Sequence, residues 1–400
     1  MEVKEQIFKM CNKLEAQTIA IRREIHKNPE LAFQEFETSK LVCRELDRIG
    51  ISYEESPCKP GIIATIDSGK PGKFLMLRAD MDALPVQEQT GLEFSSQVPN
   101  VMHACGHDVH TANLLAVGEI LHKTKAAWTG KVKLVFQPAE EVGGSSGGRQ
   151  MIQAGLMEEV PDACFALHVD TNTPGVIEAG TGYITAFTDS YTITVNGKAA
   201  HSSAPQEGVD AINIAASIVT ALNGIVSKNI SPMTNSTLNI GTIHGGYAEN
   251  IVADKVTMEC MFRNLTPEAR KAMLERIEGI ASGISTAMGG SCDLDFNEGY
   301  PCVLNDADFT RFVCKTIESH AESLYDGIAE GVPETYLVKD APPLLVGEDF
   351  GMYSQLAPSC LIWVSTGGSV SKHNPGFTVD EQYIKLCTRT MAMVAVEFLQ

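Results

Sequence analysis

Within VMHACGHDVH, residues 101–110, one cysteine and three histidines crowd into a single decapeptide. Cys105 and His107 are separated by one glycine, so a thiolate and an imidazole stand close together, a pair suited to a borderline-soft divalent cation. Gly106 permits the sharp backbone that lets both side chains point inward. The same residues also suit a polar helix start satisfied by hydrogen bonds, or a cysteine hydrolase with Cys105 as nucleophile and His107 as its base. In QPAEE, Glu140 and Glu141 follow an apolar run directly, and adjacent carboxylates at a strand end point different ways. One can hold a cation while the other faces a substrate water as general base; taken alone, the pair also reads as an acidic turn. His168 closes CFALHVD and His373 lies in KHNPGF. With Cys105, His107 and Glu141 they make five candidate ligands, more than one closed tetrahedral site needs and enough for two ions sharing bridging groups. RADMDALP adds Asp80 and Asp82 at a strand end, with Arg78 on the same alternating face, and Asp82 is placed to orient a ligand histidine or the catalytic glutamate. The loop GGSSGG lacks the Lys-Ser/Thr ending of a phosphate-binding loop and reads as a tight turn into a helix near Arg149.

These groups need a scaffold that brings distant segments together. An amphipathic helix runs to just before Pro29 and a second covers about Phe36 to Ile49. GIIATID, KFLMLRADMD, KVKLVFQPAEE and CFALHVD then read as strands, with a helix from about His110 to Thr124 between two of them. Such alternation predicts an α/β domain with a mostly parallel sheet, whose strand carboxyl ends collect functional groups. From about Phe187 the order becomes strand, helix, two strands, helix, strand, with Thr266 a candidate N-cap. The expectation is a catalytic domain of residues 1–186 and 298–400 and an inserted ferredoxin-like α+β domain of residues 187–297. The strand CLIWVST and a final helix from about Val379 return to the first domain.

A chain of 400 residues and 43.2 kDa exceeds what one core usually organises. Its net charge of −19 argues against nucleic acid and against anionic membrane surfaces, both of which demand clustered Lys and Arg. No apolar run reaches the roughly 18 residues of a membrane span. Eleven cysteines without a secretory signal suggest reduced thiols and a cytoplasmic setting.

The motifs RREIHKNPEL, RADMDALPV, HACGHDVHTA, QPAEE, ALHV, AAHSSAP, GEDF and HNPGF, in this order across nearly the whole chain, closely resemble those of the aminoacylase, hippurate hydrolase and indole-acetyl-amino-acid hydrolase branch of the co-catalytic metallopeptidases. That resemblance implies an amidohydrolase acting on N-acyl amino acids, with dipeptidase or aminopeptidase-like chemistry as the alternative. It implies two divalent ions per subunit, zinc, manganese, cobalt or nickel, held by Cys105, His107, Glu141, His168 and His373. It also implies Glu140 as general base, a dimer formed through the inserted domain, and His201 reaching a partner's site to stabilise the oxyanion. Asn250 and Arg263 match positions that hold the substrate carboxylate. A non-catalytic binding protein on the same scaffold is the rival from another class.

Overall fold

The computed structural model describes residues 3–328, 331–368 and 370–400. The chain divides into two compact units, one of Met1–Gly182, Val303–Pro342 and Asp349–Gln400, the other of Tyr183–Cys302 and Pro343–Glu348.

The first unit begins with α1 (Val3–Lys27) and α2 (Phe36–Ile49), followed by β1 (Ile62–Asp67), β2 (Phe74–Asp80), α3 (His107–Thr124), β3 (Lys131–Gln137), α4 (Gly147–Gln153) and β4 (Ala163–Asp170). In the second unit lie β5 (Phe187–Asn196), β6 (Ala200–His201), α5 (Ala211–Leu222), β7 (Ser236–Gly245), β8 (Ile251–Val252), β9 (Lys255–Asn264), α6 (Pro267–Ala287) and β10 (Ser291–Tyr300). The chain returns to the first unit through α7 (Ala307–Tyr325), β11 (Ser359–Ser365) and α8 (Ile384–Leu399).

Every residue of β2, β4 and β11 is buried, the signature of strands covered on both faces. They are central in an eight-stranded sheet in which β1-β3-β2-β4-β11 are successive neighbours. The β3–β2, β2–β4 and β4–β11 ladders are parallel, whereas β1 meets β3 antiparallel. Four strands therefore end at one edge of the sheet, which is where an open α/β sheet presents its functional loops. Helix α3 is buried from His107 through Leu121, its apolar face on the sheet and the rest enclosed by α1 and α8. The last helix starts at Ile384 rather than near Val379, because Asp380 caps a short 3-10 turn first, its carboxylate accepting the Gln382 amide at 3.1 Å.

The second unit has sheet order β7-β9-β5-β10, all antiparallel, the ferredoxin-like arrangement. On β9 buried residues alternate with more accessible ones, and α5 and α6 close the buried face into its own core. Thr266 caps α6 by accepting the Ala269 amide. Pro343–Glu348 belongs to this unit because Leu344 donates its amide to Ile184 and Ala186 donates its own to Val346, each at 2.9 Å.

Candidate metal centre

Gly106 has φ 86°, and a Cβ there would lie 2.3 Å from Val169 Cγ2. Only glycine allows the loop before α3 to close this tightly on the end of β4. The contact brings Cys105 Sγ to 3.5 Å from His168 Nε2. His107, the first residue of α3, turns Nδ1 to Asp82 Oδ1 at 3.2 Å, while the other oxygen of Asp82 accepts the Glu141 amide at 2.9 Å. One carboxylate thus orients both an imidazole and the backbone of the glutamate pair. Because a carboxylate only accepts, the His107 proton sits on Nδ1 and Nε2 keeps its lone pair. His168 reaches the same state, its Nδ1 donating to Val169 O at 2.6 Å. From the loop after β11, His373 places Nε2 at 3.1 Å from Glu141 Oε1. It does so from a backbone φ of 66°, a conformation costly outside glycine and common at functional sites.

Cys105, His107 and His168 form one set of donor atoms within 4.8 Å of each other, and Cys105, Glu141 and His373 form another. Glu140 joins His107 and Glu141 in a third. All five candidate ligands therefore converge, with Cys105 common to two sets. His107 Nε2 is buried with no hydrogen-bond partner and stands 4.0 Å from Glu141 Oε1, which His373 Nε2 approaches at 3.1 Å. Buried lone pairs aimed at one another call for a cation between them, and the sulfur, nitrogen and oxygen donors suit a divalent metal. Burial, reinforced by Glu141, pushes the Cys105 thiol up to about 12. That is the opposite of an activated nucleophile, which counts against the cysteine-hydrolase reading.

Around this cluster runs a second layer. Arg78 donates to Asp80 and Asp349 at 2.5 Å each and to Gln137 at 3.0 Å, and Asp349 also accepts the Gly148 amide at 2.9 Å. Gly147 meets the same turn from the other side, where a Cβ would fall 1.8 Å from Pro138 O, so GGSSGG does end in a tight turn into a helix. His110 gives Nδ1 to Asp80 at 2.6 Å and accepts the Val169 amide on Nε2 at 2.9 Å, so neither nitrogen is available to a metal. Sequence reasoning did not single out the roles of His110 and Asp349. His110 shares a decapeptide with stronger ligand candidates, and Asp349 stood only in the GEDF motif without a partner to explain it.

The three remaining candidates lie in the second unit. His201 and Asn250 come together, for β6 pairs with β8 and the Ser202 amide donates to Asn250 O at 3.0 Å. His201 is exposed and accepts the Ser203 amide on Nδ1 at 3.1 Å, which leaves its Nε2 as the donor in the neutral ring. Arg263 lies on β9 and donates Nη1 to Leu345 O at 2.7 Å.

Behind His107 the start of α3 is pinned by charge. Asp108 accepts Arg22 Nε at 2.6 Å and pairs with His26 Nδ1 at 2.8 Å, all three side chains being buried. Burial opposes the Asp108 charge, but Arg22 and His26 hold its carboxyl well below the usual range. His103, 1% exposed beside this network, is pushed down to about 4, chiefly by burial. The unfolded imidazole titrates near 6.5, so between these values the unfolded chain binds a proton that the folded chain excludes. Stability consequently falls as pH drops through that window, by roughly 3 kcal/mol from this residue. Urea titrations from pH 7 to 4 should show the loss, and His103→Leu should flatten it; identical pH slopes for both proteins would remove His103 as its source.

Among the described residues no helix is long and apolar enough to cross a membrane, and no two of the eleven cysteines are joined in a disulfide. The chain is 37% identical over its full length to thermostable carboxypeptidase 2 of Saccharolobus solfataricus, covering 99% of that protein. It is 35% identical to the N-acetylcysteine deacetylase of Bacillus subtilis, over 96% of this chain and 97% of the other. The crystal structure of the Bacillus subtilis YXEP protein, a dinuclear metal binding peptidase, superposes with a TM-score of 0.83 at 31% identity, covering 97% of this chain and 99% of that one. Residues 76–397 match the model of peptidase family M20/M25/M40, and with a buried donor cluster of this chemistry at the strand ends, the chain belongs to that family.

Proposed function

We propose that the chain is a metal-dependent amidohydrolase that cleaves the amide bond of N-acyl amino acids. The observation that carries this reading is the convergence of five sulfur, nitrogen and oxygen donors in two sets sharing Cys105, with Glu140 beside them. Cys105, His107, Glu141, His168 and His373 would hold two divalent ions, zinc, manganese, cobalt and nickel all suiting this donor set. Such ions, when bound, polarise the scissile carbonyl and make an attacking water acidic enough to react near neutral pH.

The chain's own residues supply the rest. Glu140, buried to 6% exposure, takes the proton of the attacking water and returns it to the leaving amine. Asp82 fixes the His107 tautomer and the Glu141 backbone through its two oxygens. His201 offers an N–H to the oxyanion, and Asn250 and Arg263 hold the substrate carboxylate, a bidentate task that suits a guanidinium. A homodimer built on the second unit, with His201 acting across it, belongs to the same proposal. The exposed edge position of β7 and the exposure of His201 support it. Eleven cysteines outside any disulfide support a cytoplasmic setting.

The deacetylase relative favours an acyl amino acid, while the carboxypeptidase relative keeps a short peptide as the second reading. Elemental analysis of purified protein, paired with turnover of acetyl, benzoyl and longer N-acyl amino acids and of dipeptides, separates the two. About two metal equivalents and preferred cleavage of acyl amino acids are expected. Protein carrying its metals yet inert towards every acyl amino acid would sink the assignment.

A further inference from the structure

The glutamate pair is aimed by an unusual backbone. Ala139, directly before Glu140, is fully buried and adopts φ 53°, a left-handed conformation that disfavours any residue with a side chain. Something must hold it there. Its carbonyl accepts the Gly147 amide at 2.9 Å, and its own amide donates to Glu35 Oε1 at 2.7 Å. Two residues on, the Glu141 amide is held by Asp82. Carboxyl groups from two separate segments therefore grip the backbone on either side of Glu140.

Glu35 reaches this place because another residue relieves it of a local task. It occupies the N-cap position of α2 yet makes no cap with its side chain. Glu30 does so instead, its carboxylate accepting the amides of Glu37 at 3.0 Å and Thr38 at 2.8 Å. The Glu30 carbonyl in turn accepts the Ala83 amide at 2.8 Å, which fastens this loop to the chain just beyond Asp82. With α2 capped and the loop anchored, the fully buried Glu35 side chain is directed at Ala139.

We propose that Glu35 is a positioning residue for the reaction, holding the Ala139 turn that presents the Glu140 and Glu141 carboxylates to the donor cluster. This rests on the reading of Glu140 as base and Glu141 as ligand. Burial, with Asp82 adding to it, pushes Glu35 up to about 8, so its carboxyl is mainly neutral at pH 7 and glutamine is its close mimic.

The test compares Glu35→Gln, which keeps the acceptor and the shape, with Glu35→Met, which keeps only the shape. Readouts are kcat and KM separately, and zinc affinity by competition with a chromophoric chelator. Glu35→Gln should stay within about 3-fold of wild type, whereas Glu35→Met should lose about 30-fold in kcat at little-changed KM and bind zinc more weakly, the scale of one buried amide left unpaired. Adding Ala139→Gly to Glu35→Met should recover about 10-fold, because glycine takes a positive φ without steric cost. Equal behaviour of the Gln and Met variants, or no recovery in the double variant, overturns the proposal. If Glu35→Met alone fails to fold, the double variant must fold, and its failure to do so overturns the proposal equally. Full activity of Glu140→Gln would instead defeat the underlying reading, whatever Glu35 does.

Discussion

Glu140→Gln should leave the chain folded and its metal complement intact while kcat falls by about a thousandfold, the middle of the range for removing a general base. Glutamine keeps the shape of the side chain and an oxygen to accept the Asp349 amide, which lies 3.4 Å from Glu140 Oε1. None of the five donors is altered, so metal content is the internal control. KM should change little, because the lost function is proton transfer and not binding. Turnover at the wild-type rate with both metals present would end the case for Glu140 as the base.

The largest effect on stability is expected at Asp108. Its carboxylate is shared by Arg22 and His26 in a region where Arg22 is 1% and His26 0% exposed. Asp108→Ala takes the shortest partner from a buried guanidinium, leaving it Glu381 at 3.2 Å and His26 at 3.5 Å. Breaking one half of such a pair typically costs about 3–5 kcal/mol, more than the loss of most core methyl groups. Removing both halves, as in Arg22→Met with Asp108→Leu, should restore much of that, since apolar replacements of buried pairs are often neutral. Urea unfolding of the three proteins decides it. A single variant as stable as wild type would mean that the network does not hold α1 to α3.

Much of this was legible in the amino-acid order. Helix α2 spans Phe36–Ile49 as the sequence pattern says, and Thr266 caps α6 as its type suggests. The convergence of the five candidate donors was legible for a chemical reason: thiol, imidazole and carboxylate side chains rarely gather at strand ends without a task. What could not be read were the features that depend on remote partners. The antiparallel meeting of β1 and β3 is invisible in either strand alone, because a short apolar run pairs equally well in either direction. Glu35 carries no signal in the sequence beyond an acidic side chain before α2, and only the loop that turns it inward reveals its contact with Ala139. Pro343–Glu348 has no strong periodicity and joins the second unit through backbone pairing that no side chain announces.

The interrupted first unit bears on how the protein is made. His168 lies before the inserted unit, whereas β11, which pairs with β4 so that Trp363 stands opposite His168, and the loop carrying His373 lie after it. Translation runs from the amino end and compact units fold as they emerge, so the insert can settle while its host still lacks an interior strand. The ion cage is therefore completed last, near the end of synthesis: a chain that has emerged only as far as Cys302 carries the β7-β9-β5-β10 sheet of the insert but lacks both Pro343–Glu348 of that unit and His373 of the cage.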